Sequence, residues 1–185
     1  VVTGAPTIST TATQASNVGS YTITSAANNL AATNYQFSYV NGSLTVNQRP
    51  ITVTAADKSK TYGDTNPSLT YTVATDGSGT SRGLYSTDTL SGALATTATT
   101  STAVGTVSIT QGTLANSNYA ITFNNGTLTI GKATLTVTAN NQTRVYGDAN
   151  PTLTYSITGY VNSETSLVVT GAPTISTTAT QASNV

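Results

Sequence analysis

The chain has 185 residues, of which 6% are charged, with six basic side chains balancing six acidic ones. This balance excludes the basic footprint of a nucleic-acid binder and the polybasic patch that docks on anionic membrane. Cys and His are both absent, which removes disulfides, thiolate chemistry, Cys-based metal sites and the commonest general base.

In chain order, the first 18 residues, VVTGAPTISTTATQASNV, return letter for letter at residues 168–185, so the parent sequence repeats with a shift of 167 residues. Residues 1–48 read as the C-terminal half of a split module, with a tight turn expected at Val40-Asn41-Gly42. Residues 49–131 read as one complete module. Period-2 alternation bounded by turn residues predicts its strands near 51–55, 69–74, 92–99, 105–110, 119–123 and 127–130. Asn124-Asn125-Gly126 reads as a second hairpin turn. Tyr62-Gly63-Asp64-Thr65-Asn66-Pro67 reads as an irregular connection, with Gly63 allowing an unusual φ and Pro67 ending any ladder. The Gly/Ser-rich run from Asp76 to Gly83 reads as a flexible insertion.

Residues 132–185 read as the N-terminal half of the next module. Tyr146-Gly147-Asp148-Ala149-Asn150-Pro151 repeats the first motif 84 positions on, and Thr136-Val137-Thr138-Ala139 repeats Thr52-Val53-Thr54-Ala55. Ser117-Asn118-Tyr119 and the residues after it likewise resemble Thr33-Asn34-Tyr35 onward. Little between Thr127 and Thr138 breaks a strand, so modules are expected to follow one another with minimal linkers, as an extended rod.

With 43 Thr against ten Tyr, two Phe and no Trp, the composition favours strands over helices. The expected fold class is all-β: tandem small β-sandwiches of immunoglobulin-like type, with β-grasp-like modules as the alternative. A Cys-free, Met-free chain rich in Thr, Asn, Ser and Gly suits an exported bacterial surface protein. No apolar run approaches the roughly 20 residues that cross a bilayer, so no membrane insertion is expected. No signal peptide is present, and any export signal lies outside these residues.

The repeated motifs Tyr-Gly-Asp-x-Asn-Pro-x-Leu-Thr-Tyr and Asn-Tyr-x-x-x-Phe/Tyr-x-Asn-Gly-x-Leu-Thr, followed by Lys132-Ala133-Thr134-Leu135-Thr136-Val137-Thr138, resemble the MBG ("mostly β, glycine") domain. The resemblance covers essentially the whole chain. It implies a place in large bacterial surface proteins such as filamentous-haemagglutinin-like adhesins, and it carries no catalytic residues.

Candidate chemistry is sparse. Asp64 and Asp148 are the repeated carboxylates, yet calcium wants six to eight oxygens, and Asp57, Asp76 and Asp88 are scattered. Both read as turn residues that accept backbone hydrogen bonds. Lys58, Lys60 and Lys132 do not recur at matched positions, which argues against a lysine–asparagine cross-link in every module. Glu164, the sole Glu, has no partner acid for glycoside hydrolysis. Gly77, Gly79 and Gly83 lack the dinucleotide-binding spacing. Asn41, Asn125 and Asn141 fit the glycosylation sequon, but two of them are already explained as turns. Tyr35, Tyr62, Tyr71, Tyr119, Tyr146 and Tyr155 read as core fillers rather than sugar-stacking platforms. The Thr-x-Thr pairs read as the outward face of ordinary strands rather than an ice-ordering ladder.

The expectation is therefore a non-enzymatic structural repeat, a stalk or fibre segment of a secreted or surface-anchored bacterial adhesin, without cofactors or metals. The alternatives are an adhesive module that binds a glycan or partner surface, and a matrix filament. Its expected partners are neighbouring copies of the same repeat, head-to-tail, through completion of the split modules.

Overall fold

The structure is a computed structural model that describes residues 1–75 and 81–183. It is all-β. The first half-module carries β1 (Val2–Thr3), β2 (Thr7–Thr10), β3 (Gly19–Ala26), β4 (Ala31–Ala32) and β5 (Gly42–Val46). The complete module carries β6 (Arg49–Ala55), β7 (Lys58–Thr61), β8 (Tyr71–Ala74), β9 (Gly105–Ile109), β10 (Tyr119–Asn124) and β11 (Gly126–Gly131). The second half-module carries β12 (Thr136–Ala139), β13 (Tyr155–Thr158) and one turn of 3-10 helix, Ser166–Val168.

These strands gather into two compact units. The first comprises Val1–Ala56, Thr70–Ala95 and Thr110–Asn125; the second comprises Asp57–Leu69, Thr96–Ile109 and Gly126–Val185. The chain of the complete module thus contributes to both.

In the first unit, β6 lies between β10, parallel to it, and β8, antiparallel to it. Strand β6 alternates Ile51, Val53 and Ala55 inward, and the first two are fully buried. They pack with Leu90, Leu114 and Tyr119, and with the half-buried Tyr71, Val73, Leu84, Ile121 and Phe123, to make the core. Also in this unit, β3 pairs antiparallel with both β2 and β5. In the second unit, β11 pairs parallel with β7 and antiparallel with β9, burying Leu128, Ile130 and Ile109.

Both expected hairpins are absent. Strands β10 and β11 flank Asn125 but do not pair with each other. Each takes a parallel partner instead, Tyr119 opposite Arg49 and Leu128 opposite Lys58, both pairs 70 positions apart. Parallel neighbours need a long crossover rather than a two-residue turn, so the Asn-Gly signal here marks the end of one strand and the start of another. At Val40-Asn41-Gly42, only the residues from Gly42 onward form a ladder, with β3. The expected strand at 92–99 is reduced to a single bridge at Ala95, with another at Ser91 just before it.

Of the expected insertion, residues 76–80 lie outside the described residues. Its end is not a loose loop. Ser81 is 2% exposed, its hydroxyl donates to the Ala74 carbonyl at 2.6 Å, and it accepts the Thr52 N–H at 2.9 Å. Arg82 N–H bonds the Pro50 carbonyl at 3.0 Å, so these residues continue the backbone pairing along β6.

Candidate functional site

The repeated Tyr-Gly-Asp-x-Asn-Pro motif builds a backbone clasp. Gly63 and Gly147 have φ of 94° and 89°, a region that side-chain-bearing residues resist. Asp64 accepts the Thr61 N–H at 3.2 Å within its own turn. Asn66 reaches across to donate to the Ala98 carbonyl at 2.6 Å, and the Lys60 ammonium donates to the adjacent Thr99 carbonyl at 2.6 Å. The second copy of the motif repeats the contacts of the Asn and of the basic residue. Asn150 donates to the Ala179 carbonyl at 2.7 Å, and the Arg144 guanidinium donates to the Thr180 carbonyl.

A basic residue six positions before the Asn is therefore part of the motif. A search for repeated lysines misses it, because Lys60 is matched by Arg144; comparing charge instead of identity finds it. Among the described residues, no group of three metal-ligating side chains occurs.

The repeated tyrosines divide by module. Tyr119 is 4% exposed and Tyr71 packs on the core, whereas Tyr35 and Tyr146 are 74% and 61% exposed. Thr-x-Thr alternation points as expected in β11, where Thr127 and Thr129 face out and Leu128 and Ile130 are buried.

In the first unit a cleft of about 570 Å³ is lined by Asn17, Val18, Arg49, Tyr85, Asp88 and Tyr119, among others. Its walls are fixed by hydrogen bonds. Asn118 donates to the Asn17 side chain at 2.8 Å and accepts the Val18 N–H at 3.0 Å. Arg49 spends its guanidinium on the Gly83 and Arg82 carbonyls at 2.8 and 2.5 Å. Tyr119 donates to Asp88 at 2.5 Å and accepts the Tyr85 N–H at 2.8 Å. Burial, then the bond to Asp88, pushes the Tyr119 phenol above its ordinary value of 10.0.

In the second unit a cleft of about 520 Å³ is lined by Tyr155, Ile157, Tyr160, Glu164 and Val169, among others. By motif position Tyr155 and Ile157 match Tyr71 and Val73. The stretch from Gly159 to Glu164 matches that from Gly83 to Asp88: both glycines have positive φ (100° and 67°), and so do Asn162 and Ser86 (51° and 52°). That places Tyr160 at Leu84 and Glu164 at Asp88. The Tyr160 hydroxyl is buried and finds no hydrogen-bond partner among the described residues. Glu164 accepts the Tyr62 hydroxyl at 2.6 Å.

No curated protein and no solved structure matched the chain. The family model of the MBG domain (YGX type) matches residues 1–45, 51–129 and 135–185. The Tyr-Gly-Asp motif, found twice with the same clasp geometry, agrees with that match: the chain belongs to the MBG domain family and carries its repeats in tandem.

Proposed function

We propose that these repeats form a stalk or fibre segment of an exported bacterial surface adhesin, holding other parts of the protein away from the cell. The observation that carries this reading is the recurrence of residues 1–18 at 168–185 around two clasped MBG repeats, a plan suited to extension by copying. Its natural partners are neighbouring copies of itself, and it performs no catalysis. Small-angle scattering on proteins of one, two and three 167-residue repeats tests it: the longest dimension should rise in proportion to repeat number. Growth as the cube root of mass, the behaviour of a collapsed globule, would overturn it.

The cleft beside Tyr85 and Arg49 favours one competing reading, a glycan-binding adhesive module. Reproducible glycan-array binding that Tyr85→Ala removes would establish that reading; a spacer gives none.

A further inference from the structure

We propose that Tyr62 and Gly63 of one repeat form the seat for loop 159–164 of the next, so that the Tyr-Gly-Asp motif joins successive repeats as well as shaping its own turn. The inference rests on the reading of the chain as a stalk of tandem repeats, and it names the surface by which one repeat holds its neighbour.

The fold puts the motif at the point where the chain leaves its repeat. Strand β7 runs parallel to β11 with Thr61 opposite Gly131, and the Tyr62 N–H donates to the Gly131 carbonyl at 2.9 Å. The family matches end at residue 129 and resume at 135, so residues 130–134 alone link the two repeats here. A short link keeps neighbours close, but it leaves them free to turn on one another unless their surfaces engage.

Direct contacts engage them. The Tyr62 hydroxyl donates to the Glu164 carboxylate at 2.6 Å, and a charged acceptor makes a stronger bond than a neutral one. The Asn162 side chain donates to the Thr100 carbonyl at 3.0 Å, and the Gly63 N–H donates to the same carbonyl at 3.1 Å. Gly63 lies so close to Val161 that an added Cβ would come within 2.6 Å of it. The glycine is thus required twice, once for its φ of 94° and once for the room it gives the next repeat. The second reason has no origin within its own repeat.

Matched positions also meet at the preceding boundary. There the cleft of about 570 Å³ brings Val18 to Arg49 in the link and to Tyr85 and Asp88 of the following repeat. At the second boundary a smaller cleft, of about 210 Å³, brings Tyr62 and Val104 to Lys132 in the link and to Val161 and Glu164 beyond it. Val18-Gly19 matches Val104-Gly105, Arg49 matches Lys132, and Tyr85 and Asp88 match Val161 and Glu164. Incidental packing between diverged repeats would not bring the same positions together at both boundaries. A built joint does.

Because the chain has no Cys, nitroxide labels can be placed through Ser108→Cys and Ser156→Cys, exposed positions on β9 of one repeat and β13 of the next. Pulsed electron spin resonance on the full chain should give one narrow distance distribution. Tyr62→Phe and Glu164→Ala should each broaden it, and combining them should add little, since both remove the same bond. Gly63→Ala should broaden it as well. Adding Val161→Gly should then narrow it again, which backbone strain in the motif's own turn cannot explain. Amide exchange at Leu128 and Ile130 should stay as slow as in the unsubstituted chain throughout. A broad distribution with the label pair alone overturns the proposal, as does a Gly63→Ala effect that Val161→Gly leaves in place. Faster exchange along β11 in Tyr62→Phe would also overturn it, by assigning the motif to its own repeat alone. Scattering that lengthens with repeat number while the labels range freely would leave the stalk reading standing without this joint.

Discussion

Individual residues carry unusual weight here because the large side chains are few. Tyr119 serves as both core filler and hydrogen-bond hub, joining the Asp88 carboxylate to the Tyr85 backbone. Replacing it with Phe leaves both partners unsatisfied and should cost about 1–3 kcal/mol at neutral pH, measured by urea unfolding. The pH dependence follows from the raised phenol. The folded state holds its proton where the unfolded chain has begun to release it, so the stabilisation is full below pH 10.0 and is lost as pH rises through the higher folded value. The unfolding free-energy difference between wild type and Tyr119→Phe should therefore stay constant up to the ordinary phenol value of 10.0 and narrow as the pH rises above it. A constant difference would assign the tyrosine to packing alone. The glycines make a similar point: a Cβ on Gly63 would meet Val161 at 2.6 Å, while one on Gly147 meets nothing within 4 Å.

At the scale of the strand, residues 1–18 and 168–185 are a controlled comparison. The same 18 letters form β1 and β2 at one end and no strand among the described residues at the other. The difference is the partner: β4 and β3 are present for the first copy. Strand formation here is set by what lies alongside more than by local preference. A matched pair of substitutions measures this. Leu128→Ala, in the covered ladder, should cost about 2–5 kcal/mol, and Leu44→Ala, at the equivalent uncovered position, clearly less in dilute protein. Equal costs would mean that the parallel partner contributes little to burial.

The same dependence explains how far the sequence could be read. The alternating runs around Ile51, Val107, Ile121 and Leu128 were legible because one face is buried, and the clasp was visible as a repeated motif. Strand β7 was not, since Lys58-Ser59-Lys60-Thr61 has no apolar face and is held by pairing with β11. The Asn-Gly dipeptides were over-read as hairpins, because a local turn signal says nothing of a partner 70 residues away. The clefts were invisible for the same reason: their walls come from segments far apart in sequence.

At the scale of the whole molecule, composition, repeats and family membership agree on a tandem array of β modules. The parallel ladders bear on how such an array would respond to load. Strand β6 enters the complete module and β10 lies near its exit, side by side and pointing the same way. A pull on the chain before Arg49 and after Asn124 would draw the two strands in opposite directions along their length. The six residue pairs from Tyr119–Arg49 to Asn124–Thr54 are then strained together, in shear, and are not peeled one at a time. Forced unfolding is governed by the barrier to rupture rather than by equilibrium stability. Stretched as a single molecule, the module should yield at a distinctly higher force when pulled through residues 49 and 124 than when pulled through Ala55 and Tyr71, which close the antiparallel end of β6 and β8. An array built this way would resist a pull along its length by the barrier to shearing its parallel ladders.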